Sequence, residues 1–224
     1  MTRASKLLFC WRSGGLSPRL EALSLRWRGC VKLLSLLLCG ALLPGLSSAH
    51  TFETGKPLPR IFIANEGELV IQQNKLVYQR WSSASLTGKV RLMIHVAGRL
   101  SAKDQNAPLI AAIRQANLPR GRFQTTTIVN TDDAIPGSAI FVERSIKSSK
   151  LDAPWQHFVI DSSGVAQNSW RLMPHGSTVV ILDTHGIVRF AKDGALTPQE
   201  VNQTLALLNQ LLAAPALSDA ALGS

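Results

Sequence analysis

The chain is poor in cysteine, and no cysteine lies beyond position 39. Among 224 residues there are only three, Cys10, Cys30 and Cys39. Disulfide exchange and peroxide reduction by cysteine both need a thiolate. A product that begins after residue 39 is therefore excluded from thiol redox chemistry, and it holds no disulfide even in a compartment that would permit one.

Long apolar runs are also scarce. The most apolar stretch, residues 33–46, has 14 residues and includes Pro44 and Gly45, whereas a membrane-spanning helix needs about 20 apolar residues. No later segment is longer. We therefore expect a soluble product that does not insert into a membrane.

Runs of basic residues are missing after the first 49 residues. The formal net charge is +10, but residues 1–49 hold seven basic residues and one acidic residue, and the remainder hold seventeen and thirteen. No two Lys or Arg residues are adjacent in that remainder. A weak and scattered positive charge does not favour nucleic-acid binding.

The first 49 residues have the features of a secretory signal peptide. Arg26, Arg28 and Lys32 precede the apolar stretch, and Ser47 and Ala49 supply small residues three and one positions before a cut at His50. We therefore predict a signal peptide over 1–49, cleavage after Ala49 and a periplasmic product. The segment before the apolar stretch is long for a signal peptide, so translation could also begin at Val31.

Hydrophobic patterning after residue 50 predicts alternating strands and helices. Residues 60–70 and 76–81 alternate as in a hairpin, residues 90–96 form a nearly continuous apolar strand, and residues 123–130 and 157–160 read as further strands. Helices are predicted from Ser101, with a kink at Pro108, over residues 138–149, and from Thr197, where a capping box begins. Residues 178–182 and 187–191 flank a hairpin turn. The pattern indicates an α/β fold.

Residues 88–108 resemble the strand and active-site helix of periplasmic thioredoxin-like proteins. Ala97 and the helix-kinking Pro108 match that pattern, but its Trp-Cys-x-x-Cys segment falls on residues 99–103, so Leu100 and Lys103 replace both sulfurs. Ser177 stands where the family has a cis-proline. The resemblance implies a thioredoxin-like fold with a mixed sheet, flanking helices and an added amino-terminal hairpin, without the redox chemistry.

Longer runs resemble the YtfJ family of exported bacterial proteins. These runs are residues 49–55 (AHTFETG), 95–99 (HVAGR), 101–103 (SAK), 125–138 (TTTIVNTDDAIPGS) and 191–198 (AKDGALTP). The resemblance implies a periplasmic protein of undefined biochemical role. We place the domain at 50–213. Residues 214–224 are small and polar and include Pro215, and we expect them to form a flexible carboxyl-terminal tail.

A binding site is predicted where redox relatives keep their thiols. Ser101 begins a predicted helix whose first N–H groups favour an anion, Arg99 and Lys103 add positive charge, and Ser177 restores a backbone donor that proline lacks. We expect an acidic peptide or a small anion there. The alternative is that Asp104 and Asp132 neutralise these charges and nothing binds.

Asp132 and Asp133 follow a predicted strand and should lie at the same edge of the sheet as Ser101. Paired carboxylates can do acid–base chemistry or hold a cation. The alternative interpretation is a capped turn with an ion pair to Lys103 or Arg99, and we favour it.

Histidines offer little metal chemistry. If cleavage occurs after Ala49, the α-amine and imidazole of His50 could chelate Cu(II), but a second imidazole at ligand spacing is missing. His95 lies in an apolar strand and is interpreted as a hydrogen-bonded core residue. Trp81, Trp155 and Trp170 are interpreted as packing residues. We expect no metal and no cofactor.

Three functional classes remain open. A non-redox binding or accessory protein of the periplasm, whose partner is a peptide, a protein or a small anion, is favoured. The second class is a non-thiol enzyme or metal protein that uses Asp132, Asp133 or His50. A transcriptional regulator comes last, because an exported and weakly charged domain has neither access to DNA nor a basic recognition surface. Fold analogy does not decide among them.

Overall fold

The structure, a computed structural model, describes residues 50–214. The predicted signal peptide and all but the first residue of the predicted tail lie outside this range. A seven-stranded mixed sheet has the order β2-β1-β5-β4-β3-β6-β7. Its strands are β1 (Phe62–Gln72), β2 (Lys75–Ser82), β3 (Val90–Ala97), β4 (Phe123–Asn130), β5 (His157–Asp161), β6 (Ser177–Leu182) and β7 (Val188–Asp193). The predicted strands are all present.

Strand β3 lies inside the sheet, as its continuous apolar run predicts. All eight of its residues are buried. It pairs in parallel with β4 and antiparallel with β6, and β4 pairs in parallel with β5. A strand covered on both faces needs apolar side chains on both, and this explains why its sequence does not alternate.

The amino-terminal hairpin of β1 and β2 extends the sheet on the far side of β5. The two strands are antiparallel, and β1 also pairs antiparallel with β5. A register shift separates Ile63 from Glu68 in the hairpin. Gly67 lies at this irregularity with a positive φ of 76°. A Cβ there would meet the carbonyl oxygen of Gln79 at 2.3 Å, so only glycine fits.

Within the described range, five α-helices connect or flank the strands. They are α1 (Leu100–Gln105), α2 (Ala107–Ala116), α3 (Ala139–Asp152), α4 (Val165–Trp170) and α5 (Pro198–Ala213), and a short 3-10 helix spans Ser83–Leu86. The kink predicted at Pro108 is a complete break. Asn106 ends α1 and begins α2, and Pro108 lies in the first turn of α2, where its missing N–H has no cost.

The two capping predictions have opposite outcomes. Thr197 caps α5: its side chain accepts from the backbone N–H of Glu200, and the Glu200 side chain bonds back to the backbone of Thr197. The predicted capping box of Ser101 and Asp104 is wrong. Helix α1 begins at Leu100, its N-cap is Arg99, and no side chain caps it. The helix starts two residues earlier than a cap at Ser101 would place it.

Two main cores fill the space on the two faces of the sheet. Phe52, Met93, Ile128 and Trp170 belong to the core beneath the amino-terminal segment and α4. The core beneath α1, α2 and α5 contains Leu92, Ala102, Leu109, Val179 and Leu208, and a smaller one beneath α3 contains Leu69, Phe158 and Ile146. Within residues 50–214 no helix is long and apolar enough to cross a membrane.

Candidate functional site

The ends of β3, β4 and β5 and the start of β6 meet at one edge of the sheet, which we call the carboxyl edge. It comprises residues 97–104, 130–141, 161–167 and 171–177. Gly98 permits the close approach of two of these segments, because a Cβ there would lie 3.0 Å from the carbonyl oxygen of Asn130 and 3.1 Å from Cβ of Ala134. In open α/β sheets this edge is where ligands bind.

Asp133 is the centre of a hydrogen-bonded cluster at the carboxyl edge. Nε and Nη2 of Arg99 donate to its Oδ1 at 3.1 and 3.0 Å, and Nε also donates to its backbone carbonyl at 2.9 Å. Oδ2 accepts the backbone N–H of His175 at 2.6 Å, and the ring Nδ1 of His175 lies 2.5 Å from Oδ1. The two carboxylate oxygens thus join three segments of the chain.

These contacts determine the charge of Asp133. Burial raises the pKa of Asp133, but the hydrogen bonds from the backbone and ring of His175 and from Arg99 outweigh burial and leave the pKa below its usual value. Asp133 therefore carries a negative charge at neutral pH. That charge is compensated by Arg99, whose side chain is one-quarter exposed at 25%.

Asn130, the last residue of β4, places Asp133. Its Oδ1 accepts the backbone N–H groups of Asp132 at 3.1 Å and of Asp133 at 3.3 Å. Its Nδ2 donates to Oε1 of Gln167 in α4 at 2.6 Å. The turn after β4 is thus held by the side chain of Asn130, and not by the two aspartates to which the sequence interpretation gave the capping.

His175 is the functional candidate that sequence reasoning missed. Its φ of 63° lies in the left-handed region, which costs a non-glycine residue energy. Its side chain is 63% exposed. An ionised carboxylate can only accept a hydrogen bond, so we assign a proton to Nδ1 in its bond with Asp133. The other ring nitrogen, Nε2, takes no part in this bond. A loop histidine just before the β6 hairpin was the available signal.

His95 lies buried in β3 on the inner side of this cluster. Burial lowers its pKa to about 4, and the negative charge of Asp133 only partly opposes the shift. Its predicted burial is confirmed. The predicted hydrogen bonding is wrong, because neither ring nitrogen has a partner among residues 50–214. The packed β-strand neighbours Ile128 and Thr178 lie beside it in register.

The structure brings together only some of the predicted binding residues. Arg99 pairs with Asp133, as the alternative interpretation predicted. Lys103 is exposed, and its Nζ lies 3.5 Å from Oγ of Ser145 in α3 instead. Asp132 is exposed and is not part of the Asp133 cluster. The two neighbouring aspartates therefore do not act as a carboxylate pair.

Ser101 and Ser177 do not provide the donors that the sequence predicted. Ser101 is the second residue of α1 and is exposed, and α1 has only six residues. Ser177 is buried, and its backbone N–H donates to Oε1 of Gln105 at 3.0 Å. Its Oγ accepts from Nδ2 of Asn106 at 3.1 Å. The donor that proline would have removed is used inside the protein.

Large apolar side chains are exposed around the cluster. Among residues 50–214 nine are exposed, and five of them belong to the carboxyl-edge segments. These five are Leu100 at 77%, Ile135 at 52%, Ile140 at 53%, Phe141 at 67% and Met173 at 54%. Leu100 follows Arg99 directly, and Ile135 and Met173 each lie two residues from a member of the Asp133–His175 pair. Five of the nine exposed large apolar side chains in the described range thus lie on the carboxyl-edge segments.

No group of three His, Cys, Asp or Glu side chains in the described range could hold a metal ion. The ring of His50 lies 5.1 Å from that of Phe52, centroid to centroid. That His50 holds no copper tightly stays a prediction.

Similarity to known proteins places the chain in a family. It is 56% identical to the uncharacterized protein YtfJ of Escherichia coli K12 over 171 residues, which cover 76% of this chain and 93% of that protein. An uncharacterized protein of Haemophilus influenzae is 35% identical over 175 residues, 78% of this chain and 95% of the relative.

Among solved structures, the crystal structure of a protein named as a thiol:disulfide interchange protein DsbE, from Chlorobium tepidum, has a TM-score of 0.51 at 15% identity and covers 73% of this chain and 100% of that one. This likeness confirms the thioredoxin-like fold. The profile of YtfJ_HI0045, bacterial proteins of unknown function, matches residues 52–211. The chain therefore belongs to the YtfJ_HI0045 family.

Proposed function

We propose that the chain is an exported, non-redox binding or accessory protein that holds a peptide or protein segment at the carboxyl edge. The observation that carries the proposal is the set of five exposed apolar side chains on the carboxyl-edge segments. Exposed apolar patches of this kind mark interaction sites in proteins that are otherwise well packed. Leu100, exposed at 77%, occupies the position of the first active-site sulfur in redox relatives.

The Asp133 cluster gives this surface a fixed frame. It ties the loop after β4 and the loop before β6 to the start of α1, so the apolar residues on these segments are held in place before a ligand arrives. Preorganisation of this kind reduces the entropy lost on binding. A small anion is the less favoured ligand, because Asp133 already compensates Arg99 and Gln105 already accepts the N–H of Ser177.

Export rests on the leader, and periplasmic location follows from it. Intact-mass measurement of the protein purified from cells should give a chain that begins at His50. A chain that still contains Cys39 would contradict both statements. The proposed absence of thiol chemistry rests on the cysteine inventory, and it predicts no turnover in an insulin-reduction assay with the cleaved protein.

The binding proposal is tested by affinity capture from a periplasmic extract with three forms of the protein. The wild type and the control Ile71→Ser, which changes an exposed residue at the end of β1, should recover the same partner. The Leu100→Ser/Phe141→Ser variant should lose it. A peptide from that partner should then shift NMR signals of residues 98–104, 132–141 and 171–177. Equal recovery by all three forms would exclude the carboxyl edge.

A second candidate is a non-thiol enzyme, and the pairing of His175 with Asp133 favours it. A carboxylate bound to Nδ1 fixes the orientation of the ring, as it does for the histidine of general-base catalysis. Asp132, which the sequence analysis named with Asp133 and His50, is exposed and is not a member of this pair. A panel of ester, amide and phosphoester substrates tests the candidate: turnover should be lost in His175→Gln and kept in His185→Gln, an exposed turn histidine. Absence of turnover with the wild type argues for the binding protein.

A further inference from the structure

The opposite edge of the sheet, where β3, β4 and β5 begin, carries basic and aromatic side chains from three connections. We call it the amino edge and define it by Lys89, Arg114, Arg120, Arg122 and Trp155. Lys89 precedes β3, Arg120 and Arg122 precede β4, and Trp155 precedes β5. Arg114 lies in the last turn of α2, which leads into the loop that holds Arg120. These residues are scattered in the sequence, so no basic run announces them.

Two contacts show that the fold gathers them. Nζ of Lys89 donates to the backbone carbonyl of Arg120 at 2.9 Å. The guanidinium of Arg120 lies over the ring of Trp155, 3.6 Å from its centroid. Nη2 of Arg122 donates to the carbonyl of Ala214 at 2.8 Å, and this adds the end of α5 to the same edge.

Positive charge is in excess at this edge. Arg114, Arg120 and Arg122 are exposed and Lys89 is half-buried, and in the part of the chain that the structure describes none of the four forms an ion pair. The acidic residues near this edge are Asp152, which ends α3, Glu68, which is paired with His157 at the start of β5, and Asp183, which is bonded to Arg189 through two hydrogen bonds. The cations of the amino edge therefore have no acidic partner in the described range, whereas Arg99 at the carboxyl edge is paired with Asp133.

Buried side chains hold Trp155 in its exposed position. Nζ of Lys150 donates to the carbonyls of Pro154 at 2.9 Å and Gln156 at 2.7 Å. Nε2 of Gln124 donates to the carbonyl of Trp155 at 2.6 Å. Three successive carbonyls are thus bonded by side chains that are themselves buried. Side-chain hydrogen bonds thus hold the backbone of this loop, and Trp155 is 46% exposed on it.

An aliphatic side chain accompanies the tryptophan. Leu151, four residues earlier at the end of α3, is 59% exposed. Tryptophan partitions to the interface between lipid headgroups and acyl chains, and lysine and arginine near it attract anionic headgroups. Nucleic acid could use the cations and the ring, but it would gain nothing from an exposed leucine, since single-strand binding relies on flat stacking surfaces.

We propose that the amino edge is a docking surface for the surface of an anionic phospholipid bilayer. Lys89, Arg114, Arg120 and Arg122 contact phosphate-bearing headgroups, and Trp155 and Leu151 enter the interface. The chain associates with the bilayer from one side and does not span it. The carboxyl edge, at the other end of the parallel strands, then faces away from the lipid and stays open to a ligand. The inference is independent of what binds there.

Vesicle cosedimentation tests the proposal with the protein as it is purified from cells. Vesicles are made of phosphatidylcholine alone or with one-quarter phosphatidylglycerol. We expect binding to the mixed vesicles only, weakened by raised salt because headgroup attraction is screened. Arg120→Gln/Arg122→Gln should reduce the affinity by roughly tenfold or more, since each cation near an anionic surface contributes on the order of 1 kcal/mol. Trp155→Ala should also reduce it.

The matched control is Lys103→Gln/Arg144→Gln, which removes two exposed cations elsewhere and leaves the net charge equal to that of the first variant. It should bind within about twofold of wild type, since the effect of charge is local. Circular dichroism confirms that each variant is folded. Equal binding to both kinds of vesicle, equal loss in the two double variants, or retention by single-stranded DNA but not by vesicles would each overturn the proposal.

Discussion

The ring Nδ1 of His175 lies 2.5 Å from Oδ1 of Asp133, and the backbone N–H of the same histidine donates to Oδ2. One carboxylate thus bonds both the main chain and the side chain of a residue with left-handed φ. The loop before β6 is held to the loop after β4 by this contact. The hydrogen bonds that Asp133 accepts from the backbone N–H and the ring of His175 offset the backbone strain at His175.

Replacement of Asp133 by Asn should destabilise the protein by about 1–3 kcal/mol, because the guanidinium of Arg99 and the N–H groups of His175 lose a charged acceptor. Urea unfolding at pH 7 measures the loss. Asp132→Asn is the control, and it should change stability by less than about 0.5 kcal/mol because that side chain is exposed. Equal effects of the two substitutions would show that Asp133 does not organise the edge.

The carboxylate of Asp133 should also make the stability of the protein depend on pH in the acid range. Its pKa is lowered in the folded protein by bonds to His175 and Arg99 that outweigh burial, so its contribution is complete above the unfolded pKa of about 4 and is lost as the pH falls below that value. The stability difference between wild type and Asp133→Asn should therefore shrink below about pH 4. A difference that stays constant down to pH 2.5 would contradict this assignment.

The capping of α5 and the absence of capping at α1 can be tested by one substitution at the start of each helix. Thr197→Ala should cost about 1 kcal/mol, because it removes the hydroxyl that accepts from the N–H of Glu200. Ser101→Ala should be within about 0.5 kcal/mol of wild type, since Ser101 is inside α1 and caps nothing. Both are measured by urea unfolding. A cost at Ser101 as large as that at Thr197 would restore the capping role that its sequence position predicts.

Local signals were sufficient for most of the fold. Strand β3 follows from a nearly continuous apolar run between Gly88 and Gly98, and α5 follows from a capping box with a first-turn proline. In both cases the decisive interactions lie within a few residues. The break between α1 and α2 is different. Asn106 is buried, and its Nδ2 donates to Oγ of Ser177 and to the carbonyl of Gly194. The sequence around Asn106 does not indicate that its side chain will bond two distant segments at the junction of two helices.

The candidate site was also only partly predictable from the sequence. The position of Asp133 at the end of a strand was predictable, since strand ends gather at one edge. Its partner His175 was not, because the two are 42 residues apart and meet only through the topology of β4 and β6. The amino edge depends equally on topology: Lys89 and Arg120 are 31 residues apart. Pairings across the sheet cannot be obtained from composition or spacing.

Ser177→Pro would restore a residue that redox relatives have, and it should destabilise this chain. The substitution removes the N–H that donates to Oε1 of Gln105 and the Oγ that accepts from Asn106, and the lost bonds at a buried position should together cost about 2–4 kcal/mol. Ser177→Ala, which keeps the N–H, should cost less than half as much. Thermal or urea unfolding decides, and a proline variant as stable as wild type would show that the Gln105 contact is dispensable.

His95 offers a prediction about pH that concerns the core rather than the surface. Burial lowers its pKa to about 4, and it is neutral in the folded protein at pH 7. In the unfolded chain an imidazole binds its proton near pH 6.5. The unfolded state therefore binds more protons between these values, so stability is complete above about pH 6.5 and falls as the pH drops towards 4, by about 3 kcal/mol in total from this residue.

His95→Leu should remove this dependence. It should also leave stability at pH 7 equal or higher, because both ring nitrogens lack hydrogen-bond partners in the described part of the chain and leucine brings no polar atom into the core. Urea unfolding at pH 7, 6, 5 and 4.5 compares the variant with wild type, and the advantage of the variant should grow at each step towards acid.

Ile94→Val, the neighbouring buried position in β3, is the matched control. It has no titrating group, so it should lower stability by about 1 kcal/mol at every pH. Parallel stability curves for His95→Leu and wild type would mean that the histidine keeps its ordinary pKa inside the protein. In that case an acceptor or donor must reach its ring when the protein is in water, and the core around β3 must be more open than its packing indicates.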